Sequence, residues 1–381
     1  MRFFLDHQLR FGYHSRMLPN PFETVKLRNL TMKNRFIAAP MATQYADKRG
    51  LVTDNMVAYY NHLALTGVAM VVVEGALVSP EGPGWSRELQ VFNSDAVPGL
   101  KLLAESIRER GAIPVLQLHH AGRQGLSTRD HYEMVAPSAI PCPILDRPVR
   151  PLLREEIDEL IHAFAESARL ARLAGFDGVE LHGAHGYLLH QFVSPLTNLR
   201  DDEYGLEKNA PSRFPLEVVR AIRTAFPDFF ISYRMSARDY LPRGLTLMHT
   251  CLLAKGLEGA GADLISVSGG MYASLHGAES IVGPSTPYGV FRNDSRDIRE
   301  AVSIPVAVVG KIQFPSLARE IIANRDANFI VLGRMLLRDP QWLQKAQGLI
   351  SEPVINCLLC TRCRFHNRGC PDRPERKTWA V

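Results

Sequence analysis

The stretch R-E-E-I-D-E-L-I-H-A-F-A-E-S-A-R-L-A-R-L at Arg154–Leu173, with G-V-E-L-H following at Gly178–His182, decides the fold. Apolar residues recur along the first segment at the spacing of one helix face, and acidic residues occupy its first turns, where a helix favours negative charge. The second segment is a short apolar run, which is typical of a strand buried on both faces. Together they form one helix–strand unit of a parallel α/β fold.

Apolar runs of this kind alternate with helical patterns along most of the chain. The predicted strands are Arg35–Ala39, Ala69–Glu74, Ile113–His119, Gly178–His182, Phe229–Met235, Asp263–Ser268, Pro305–Gly310 and Phe329–Gly333. Eight strands over roughly 300 residues indicate a (β/α)₈ TIM barrel. No G-x-G-x-x-G follows the first strand, which counts against an open dinucleotide-binding sheet.

The segments around the barrel complete the predicted domain organisation. Residues 1–20 form an N-terminal extension, residues 21–350 form the barrel, and residues 351–381 form a short cysteine-rich segment. Phe22–Lys33 predicts a β-hairpin that caps the bottom of the barrel. The proline-rich loop Leu126–Pro151 is long enough to cover an active site.

Composition narrows the classes of function. The chain has 381 residues, of which 46% are hydrophobic and 22% charged, as in ordinary globular proteins. The net charge of +5 is too small to predict nucleic-acid binding. No apolar run approaches the length of a membrane-spanning helix, and residues 1–19 lack the apolar core of a secretory signal. We therefore expect a cytoplasmic homo-oligomer that acts on a small molecule.

Active sites of such barrels collect at the C-terminal ends of the strands. The fourth predicted strand leads into H-G-A-H-G-Y at His182–Tyr187. The imidazoles of His182 and His185 can polarise a substrate carbonyl, and the phenol of Tyr187 can donate a proton nearby. The alternative is a structural role for the two histidines.

Glycine and basic residues at two other strand ends indicate a phosphorylated ligand. Gly310 and Gly333 end the seventh and eighth strands, and a basic residue, Lys311 or Arg334, follows each of them directly. Glycine lets backbone N–H groups approach a phosphate, and arginine adds a charge-assisted contact. The alternative is a pair of ordinary tight turns.

Two polar residues within predicted strands indicate that this ligand also carries a heterocycle. Gln117 on the third strand and Arg234 on the fifth are placed to project into the barrel mouth. Glutamine offers both a donor and an acceptor to an amide edge, and a buried arginine needs an anion or a polar partner. A flavin supplies both partners. The alternative is an internal polar network that braces the barrel.

With these residues assembled, the sequence resembles the Old Yellow Enzyme family of FMN-dependent oxidoreductases. The resemblance lies in P-F-E-T-V-K-L-R-N-L-T-M-K-N-R at Pro21–Arg35, A-P-M at Ala39–Met41, Q-L-H-H-A-G-R at Gln117–Arg123, E-L-H-G-A-H-G-Y-L-L-H-Q-F-V-S-P-L-T-N-L-R-D-D-E-Y-G at Glu180–Gly205, A-V-V-G-K-I at Ala307–Ile312 and V-L-G-R at Val331–Arg334. It departs at Ala42, where some relatives carry cysteine or threonine, and at Leu206–Pro211, where the family commonly reads G-S-x-x-N-R.

The resemblance implies a barrel that binds FMN, takes hydride from NADH or NADPH, and passes it to the β-carbon of an activated alkene. It assigns the flavin ring to Pro40, Met41, Ala42 and Gly75, its pyrimidine end to Gln117 and Arg234, and its phosphate to Gly310, Gly333 and Arg334. It also implies that His182 and His185 hold the carbonyl oxygen of the substrate, an enone or enoyl compound. Tyr187 then delivers a proton to the α-carbon.

A cysteine cluster follows the barrel. The cysteines have the spacing C-x₂-C-x₂-C-x₆-C and are Cys357, Cys360, Cys363 and Cys370. The cluster resembles the iron–sulfur segment of the 2,4-dienoyl-CoA reductase and trimethylamine dehydrogenase branch, although its x₆ spacing departs from that pattern. We expect a [4Fe–4S] cluster, with a structural zinc site or disulfides as alternatives. Because the sequence ends at Val381, without that branch's further flavin and nucleotide domain, we expect such a cluster either to need an external electron-transfer partner or to be structural.

The leading hypothesis is therefore an FMN-dependent ene-reductase, and three alternatives stay open. The first is a dienoyl-thioester reductase or amine dehydrogenase, although a histidine pair is not the aromatic cage that an amine cation needs. The second is a metal-dependent barrel hydrolase or lyase, for which Glu74 and Glu180 are the plausible carboxylates. The third is a non-catalytic electron-transfer component.

Overall fold

The structure is a computed structural model that describes residues 19–125, 133–207, 212–275, 282–360, 362–364 and 370. Within them, parallel strands close into a barrel, because the first strand pairs with the second at Ile37 and Met70 and with the eighth at Phe36 and Ile330. The barrel strands are Phe36–Ala38, Met70–Leu77, Ile113–His119, Gly178–Gly183, Phe230–Ser236, Leu264–Ser268, Val306–Val308 and Phe329–Leu332. The prediction of a (β/α)₈ barrel is confirmed.

Helices cover the outside of the barrel. The longer helices are Asp54–Leu65, Val97–Glu109, Arg154–Leu173, Arg213–Ala225, Leu247–Ala260, Arg292–Ala301 and Pro315–Ala323, and the shorter ones are Leu188–Gln191, Arg334–Arg338 and Trp342–Gln347. Helices cover the outer face of each barrel strand, and the inner face lies in the barrel interior. All residues of the fourth and fifth strands are therefore buried, which explains why such strands appear in the sequence as apolar runs. No helix in the described ranges is both long and apolar enough to cross a membrane.

The helix predicted at Arg154–Leu173 is confirmed with the same bounds. At its start the N–H of Leu153 donates to the Glu156 side chain at 2.7 Å, which satisfies one of the amide groups that a first turn leaves unpaired. Beyond its end, Gly175 has a φ of +85°, in the left-handed region that glycine adopts without strain. The chain turns there into the fourth strand, which carries His182 to the mouth of the barrel.

An antiparallel hairpin, Val25–Leu27 and Leu30–Met32, lies where the sequence predicts one. Its Leu27 and Met32 are buried in one apolar cluster with Phe230, the first residue of the fifth barrel strand. The hairpin therefore fills the N-terminal end of the barrel, and a ligand must enter from the opposite end.

The loop predicted to cover the active site has a short paired base. Val135–Ala136 and Arg150–Pro151 pair as two parallel strands, while another short strand, Leu89–Gln90, extends the sheet beside the second barrel strand. Between the two base strands, Ile144 and Leu145 line the cavity at the barrel mouth. Residues 126–132 of this loop, and residues 1–18 of the predicted N-terminal extension, lie outside the described residues.

Candidate active site

A cavity of about 520 Å³ lies at the C-terminal ends of the barrel strands. Small-ligand sites typically measure about 300–1,000 Å³, so this volume is in the expected range. The predicted site residues that line it are Pro40, Met41, His185, Tyr187, Arg234, Gly310, Gly333, Arg334 and Cys357. The barrel thus brings together groups that lie far apart in the sequence.

Two imidazoles and a serine form a row that reaches the cavity through His185 and Ser268, whereas His182 is not among the residues that line it. His182 Nε2 lies 3.1 Å from His185 Nδ1, and His185 Nε2 lies 2.8 Å from Ser268 Oγ. The backbone N–H of His185 donates to Ser236 Oγ at 2.9 Å, which helps hold His185 at its left-handed φ of +62°. The structure therefore assembles the predicted pair, but the two rings contact each other, so a substrate oxygen has to compete for their N–H groups.

Both imidazoles are neutral near pH 7. Burial, followed by the charges of His119 and His185, holds the pKa of His182 well below its ordinary value of 6.5. Burial, followed by the charge of Arg234, has the same effect on the pKa of His185. A neutral imidazole still has one N–H to donate, so the pair can polarise a carbonyl without adding a positive charge.

The phenol of Tyr187 lies beside this row. Its side chain is 7% exposed, and its ring meets the rings of His119 and His182 edge-on, with centroids 4.4 Å and 4.7 Å away. Its hydroxyl lies 2.9 Å from the hydroxyl of Tyr272, at the start of a 3₁₀ turn after the sixth strand. Tyr187 thus presents an O–H group at the cavity, as a proton donor must.

Arg234 and Gln117 meet around Glu180, and all three side chains are buried. Gln117 Nε2 donates to Glu180 Oε1 at 2.8 Å, so part of the internal network considered from the sequence is present. Burial lowers the pKa of Arg234 and raises that of Glu180, and in each case the charge of the other residue opposes the shift. Arg234 Nη1 is buried without a hydrogen-bond partner in the described structure, which suits it to an acceptor on a ligand.

The opposite side of the cavity is cationic. Arg334 Nη2 donates to the Val282 carbonyl at 2.7 Å, and Lys311 Nζ donates to two loop carbonyls at 2.7 and 2.6 Å. Gly310, which also lines the cavity, has a φ of +119°, and a Cβ atom there would lie 2.7 Å from the Phe291 ring. Glycine is therefore required at this position, and its backbone can approach an anionic group.

Comparison with known sequences decides the family. A sequence model of the NADH:flavin oxidoreductase / NADH oxidase family matches residues 20–352. The chain belongs to this family. It is 38% identical over 356 residues to an NADH oxidase of Thermoanaerobacter brockii, covering 92% of this chain and 53% of that protein. It is 36% identical over 322 residues to an NADPH dehydrogenase of Geobacillus sp. (strain WCH70), covering 84% of this chain and 92% of that protein.

Solved structures agree on the fold. The old yellow enzyme homologue of Zymomonas mobilis superposes with a TM-score of 0.78 and 23% identity, over 94% of this chain and 100% of that chain. Together with the family match, this confirms the resemblance to the Old Yellow Enzyme family. The chain spans about half the length of the NADH oxidase that it matches.

The residues at the cavity fit FMN, the cofactor implied by this family. Arg234 Nη1 can donate to an acceptor on the flavin ring, and Arg334 can hold the phosphate. Gly75 lies at a bulge in the second strand, where a Cβ would come within 3.0 Å of His119, so this edge must stay small. At Gly333 a Cβ would make only an ordinary contact, 3.4 Å from Met41, so the close packing is less strict there.

Glu74 lies beneath the loop that follows the first strand and carries Pro40, Met41 and the exposed Ala42. Its Oε2 accepts the backbone N–H of Thr43 at 2.8 Å and lies 3.2 Å from the Tyr60 hydroxyl. Burial raises the pKa of Glu74 to about 8, although these hydrogen bonds oppose the shift. Its contacts place Glu74 as a support for this loop.

Three residues were not identified as site residues from the sequence: His119 and Tyr272, which contact Tyr187, and Glu88, which contacts His119. His119 Nδ1 lies 2.6 Å from Glu88 Oε1, and both side chains are completely buried. His119 belongs to the Q-L-H-H-A-G-R motif, so a histidine inside an apolar strand was a usable signal. Glu88 and Tyr272 come from connecting segments, and no spacing in the sequence relates them to the fourth strand.

The C-terminal cysteines lie close to the cavity. Cys357 lines it, and Cys357, Cys363 and Cys370 are partly buried against the main core. Burial raises the pKa values of the Cys357 and Cys363 thiols, and the other cysteines of the segment add to both shifts. No group of three or more His, Cys, Asp or Glu side chains in the described part of the chain is placed to hold a metal. This arrangement therefore does not support the predicted [4Fe–4S] or zinc site.

Proposed function

We propose that this protein is an FMN-dependent ene-reductase that reduces the activated double bond of α,β-unsaturated carbonyl compounds with NADH or NADPH. One observation carries the proposal: Tyr187, His185 and Arg234 line the same cavity. A proton donor, a neutral hydrogen-bond donor and a buried guanidinium with an unpaired N–H therefore face a single volume. Membership of the NADH:flavin oxidoreductase / NADH oxidase family supports it.

FMN, when bound, supplies the hydride, and the side chains perform the remaining tasks. His182 and His185 donate hydrogen bonds to the carbonyl oxygen of the substrate, which draws electrons from the double bond and stabilises the enolate as it forms. Tyr187 gives its proton to the α-carbon. Arg234 and Gln117 hold the heterocycle, and Ile144 and Leu145 help to exclude water from above.

The substitution Tyr187→Phe tests this assignment. General-acid catalysis contributes about 10²–10⁴-fold, so reduction of 2-cyclohexenone should slow by at least about 100-fold. The rate at which NAD(P)H bleaches the flavin absorbance should stay within about twofold, because Tyr187 plays no part in that half-reaction.

The matched control is Tyr240→Phe, which removes the hydroxyl that an exposed tyrosine donates to Asp294 at 3.0 Å. It should leave both rates unchanged. Equal losses in both half-reactions of Tyr187→Phe would instead indicate that Tyr187 supports the fold of the site, and the proton-donor role would be rejected.

A second candidate function adds a metal or iron–sulfur centre in the cysteine segment to a thioester-reducing or amine-oxidising flavoenzyme. It is favoured by the cysteine spacing and by Cys357 lying at the cavity, where an electron carrier would be close to the cofactor. The arrangement of the cysteines in the described residues does not favour it. In this version an external partner donates or accepts the electrons.

Anaerobic purification followed by iron, sulfide and zinc analysis separates these versions. Four irons and four sulfides per chain would support the cluster. One zinc would support a structural site. With either metal bound, Cys360→Ser should reduce the metal content. If the protein contains neither metal and still reduces the enone, only the ene-reductase function is supported.

A further inference from the structure

The hydroxyls of Tyr187 and Tyr272 form a pair at the edge of the cavity. Their oxygens are 2.9 Å apart, and their rings meet edge-on at 70° with centroids 5.8 Å apart. Both side chains line the cavity, but Tyr187 is buried whereas Tyr272 is half-buried. Tyr272 is therefore the member of the pair that lies closer to bulk water.

A backbone contact holds the two tyrosines in register. His185, two residues before Tyr187, forms a parallel bridge with Met271, the residue before Tyr272. Gly186 lies at this crossing with a φ of +82°, and a Cβ on it would come within 2.9 Å of Met271. The Met271 N–H also donates to Ser274 at 3.0 Å, which fixes the turn that presents Tyr272. The two phenols are thus placed by the same close contact between strand ends.

The imidazoles of His182 and His185 are poor sources of a second proton. Burial holds the pKa values of His182 and His185 well below the ordinary range, so both rings are neutral when the enzyme works. A phenol keeps its proton at neutral pH and both accepts and donates a hydrogen bond. Tyr272 therefore suits the task of returning a proton to a neighbouring phenolate.

We propose that Tyr272 is a proton-relay residue, which passes a proton from water to Tyr187 as Tyr187 protonates the substrate. This inference rests on the proposed ene-reductase function and extends it to the path of the proton. Because Tyr272 acts through Tyr187, its substitution should leave cofactor reduction and ligand binding intact.

A chain of proton transfers accompanies the transfer of hydride. Hydride from the reduced flavin adds to the β-carbon and leaves the electron pair of the double bond in an enolate. The Tyr187 O–H bond breaks and leaves its electrons on the Tyr187 oxygen, while the electron pair of the enolate forms the new C–H bond to that proton at the α-carbon. The Tyr187 oxygen takes the Tyr272 proton, and the Tyr272 oxygen takes a proton from water. The net uptake is one hydride from the cofactor and one proton from solvent.

The test compares wild-type holoenzyme with Tyr272→Phe, Tyr187→Phe and the control Tyr240→Phe. Single-turnover reduction of 2-cyclohexenone is followed in mixtures of H₂O and D₂O. In the wild type, a plot of the rate constant against the deuterium fraction of the solvent should be curved, because two protons move in the slow step. In Tyr272→Phe the rate should fall about tenfold, less than for loss of the general acid itself, and the dependence should become linear.

The affinity for a ligand distinguishes a relay from a merely structural role, because a structural defect at Tyr272 would also change ligand binding. The affinity of a small phenol for the oxidised holoenzyme, measured from its charge-transfer band, should stay within about twofold in Tyr272→Phe. A wild-type rate with a curved dependence in Tyr272→Phe, a linear dependence in the wild type, or a parallel loss of phenol affinity would each overturn the relay. If the wild type does not reduce the enone, the proposed function fails first, and the relay fails with it.

Discussion

The two sides of the barrel mouth differ in charge. The side built from the fourth and sixth strands carries Tyr187 and the two histidines, His182 and His185. Both imidazoles are neutral because burial lowers their pKa values. The side built from the seventh and eighth strands carries Lys311 and Arg334, whose cationic groups are held by backbone carbonyls. The contrast supports the proposal that the cationic side binds an anionic cofactor and that the neutral side donates hydrogen bonds to an uncharged substrate.

Arg234 lies on the fifth strand, between the fourth and the sixth, and its substitution has the largest expected effect on cofactor binding. Arg234→Met should weaken the binding of both FMN and riboflavin by at least about 30-fold, because removing one partner from a buried charged contact costs about 2–5 kcal/mol. Titration of apoprotein with each flavin, followed by flavin fluorescence, measures this. Equal affinity for wild type and variant would show that the unpaired Nη1 does not contact the flavin.

The cationic side can be tested with the same two ligands. Arg334→Ala should weaken FMN binding by about tenfold and leave riboflavin binding unchanged, since riboflavin lacks the phosphate and a charge-assisted hydrogen bond contributes about 1.5–3 kcal/mol. Arg296→Ala, which removes a half-exposed arginine paired with Asp297, is the control and should change neither affinity. A similar loss of affinity for both flavins would show that Arg334 does not bind the phosphate.

The neutral side predicts a pH dependence of stability. The unfolded chain protonates each histidine near pH 6.5, whereas the buried His185 stays neutral, so the free energy of unfolding should fall as the pH drops below 6.5. One such histidine contributes at most about 1.4 kcal/mol per pH unit. His185→Asn keeps a residue that tolerates the left-handed backbone and should show a shallower slope in urea unfolding at pH 7.5, 6.0 and 5.0. Equal slopes in wild type and variant would argue against a neutral His185.

Sequence reasoning reached the barrel because its signal is local. Each buried parallel strand is an apolar run, and the helix at Arg154–Leu173 carries its own face and its own charged first turn. The hairpin before the first strand was predicted for the same reason. The positions of His185, Tyr187, Arg234, Gly310 and Arg334 at one mouth then follow from the rule that strand ends in a barrel converge.

The sequence was less informative about contacts between segments that are distant along the chain. The cysteine spacing predicted a metal site, yet the described cysteines are not arranged as one, because spacing fixes the order of the ligands and not their approach. From the sequence, Glu74 was a candidate carboxylate ligand of a metal site. In the structure it is buried and accepts the backbone N–H of Thr43, so it supports the loop after the first strand.

The sequence by itself determined the family, the barrel and the residue types at each strand end, since these depend on local periodicity and on motifs that are continuous in the chain. Only the tertiary structure decided that Tyr272 meets Tyr187, that Arg234 keeps an unpaired N–H, and that the two histidines are neutral. The physical reason is that burial and hydrogen-bond geometry are properties of the closed barrel. They exist only once separate strands have brought these side chains into one volume from which water is largely removed.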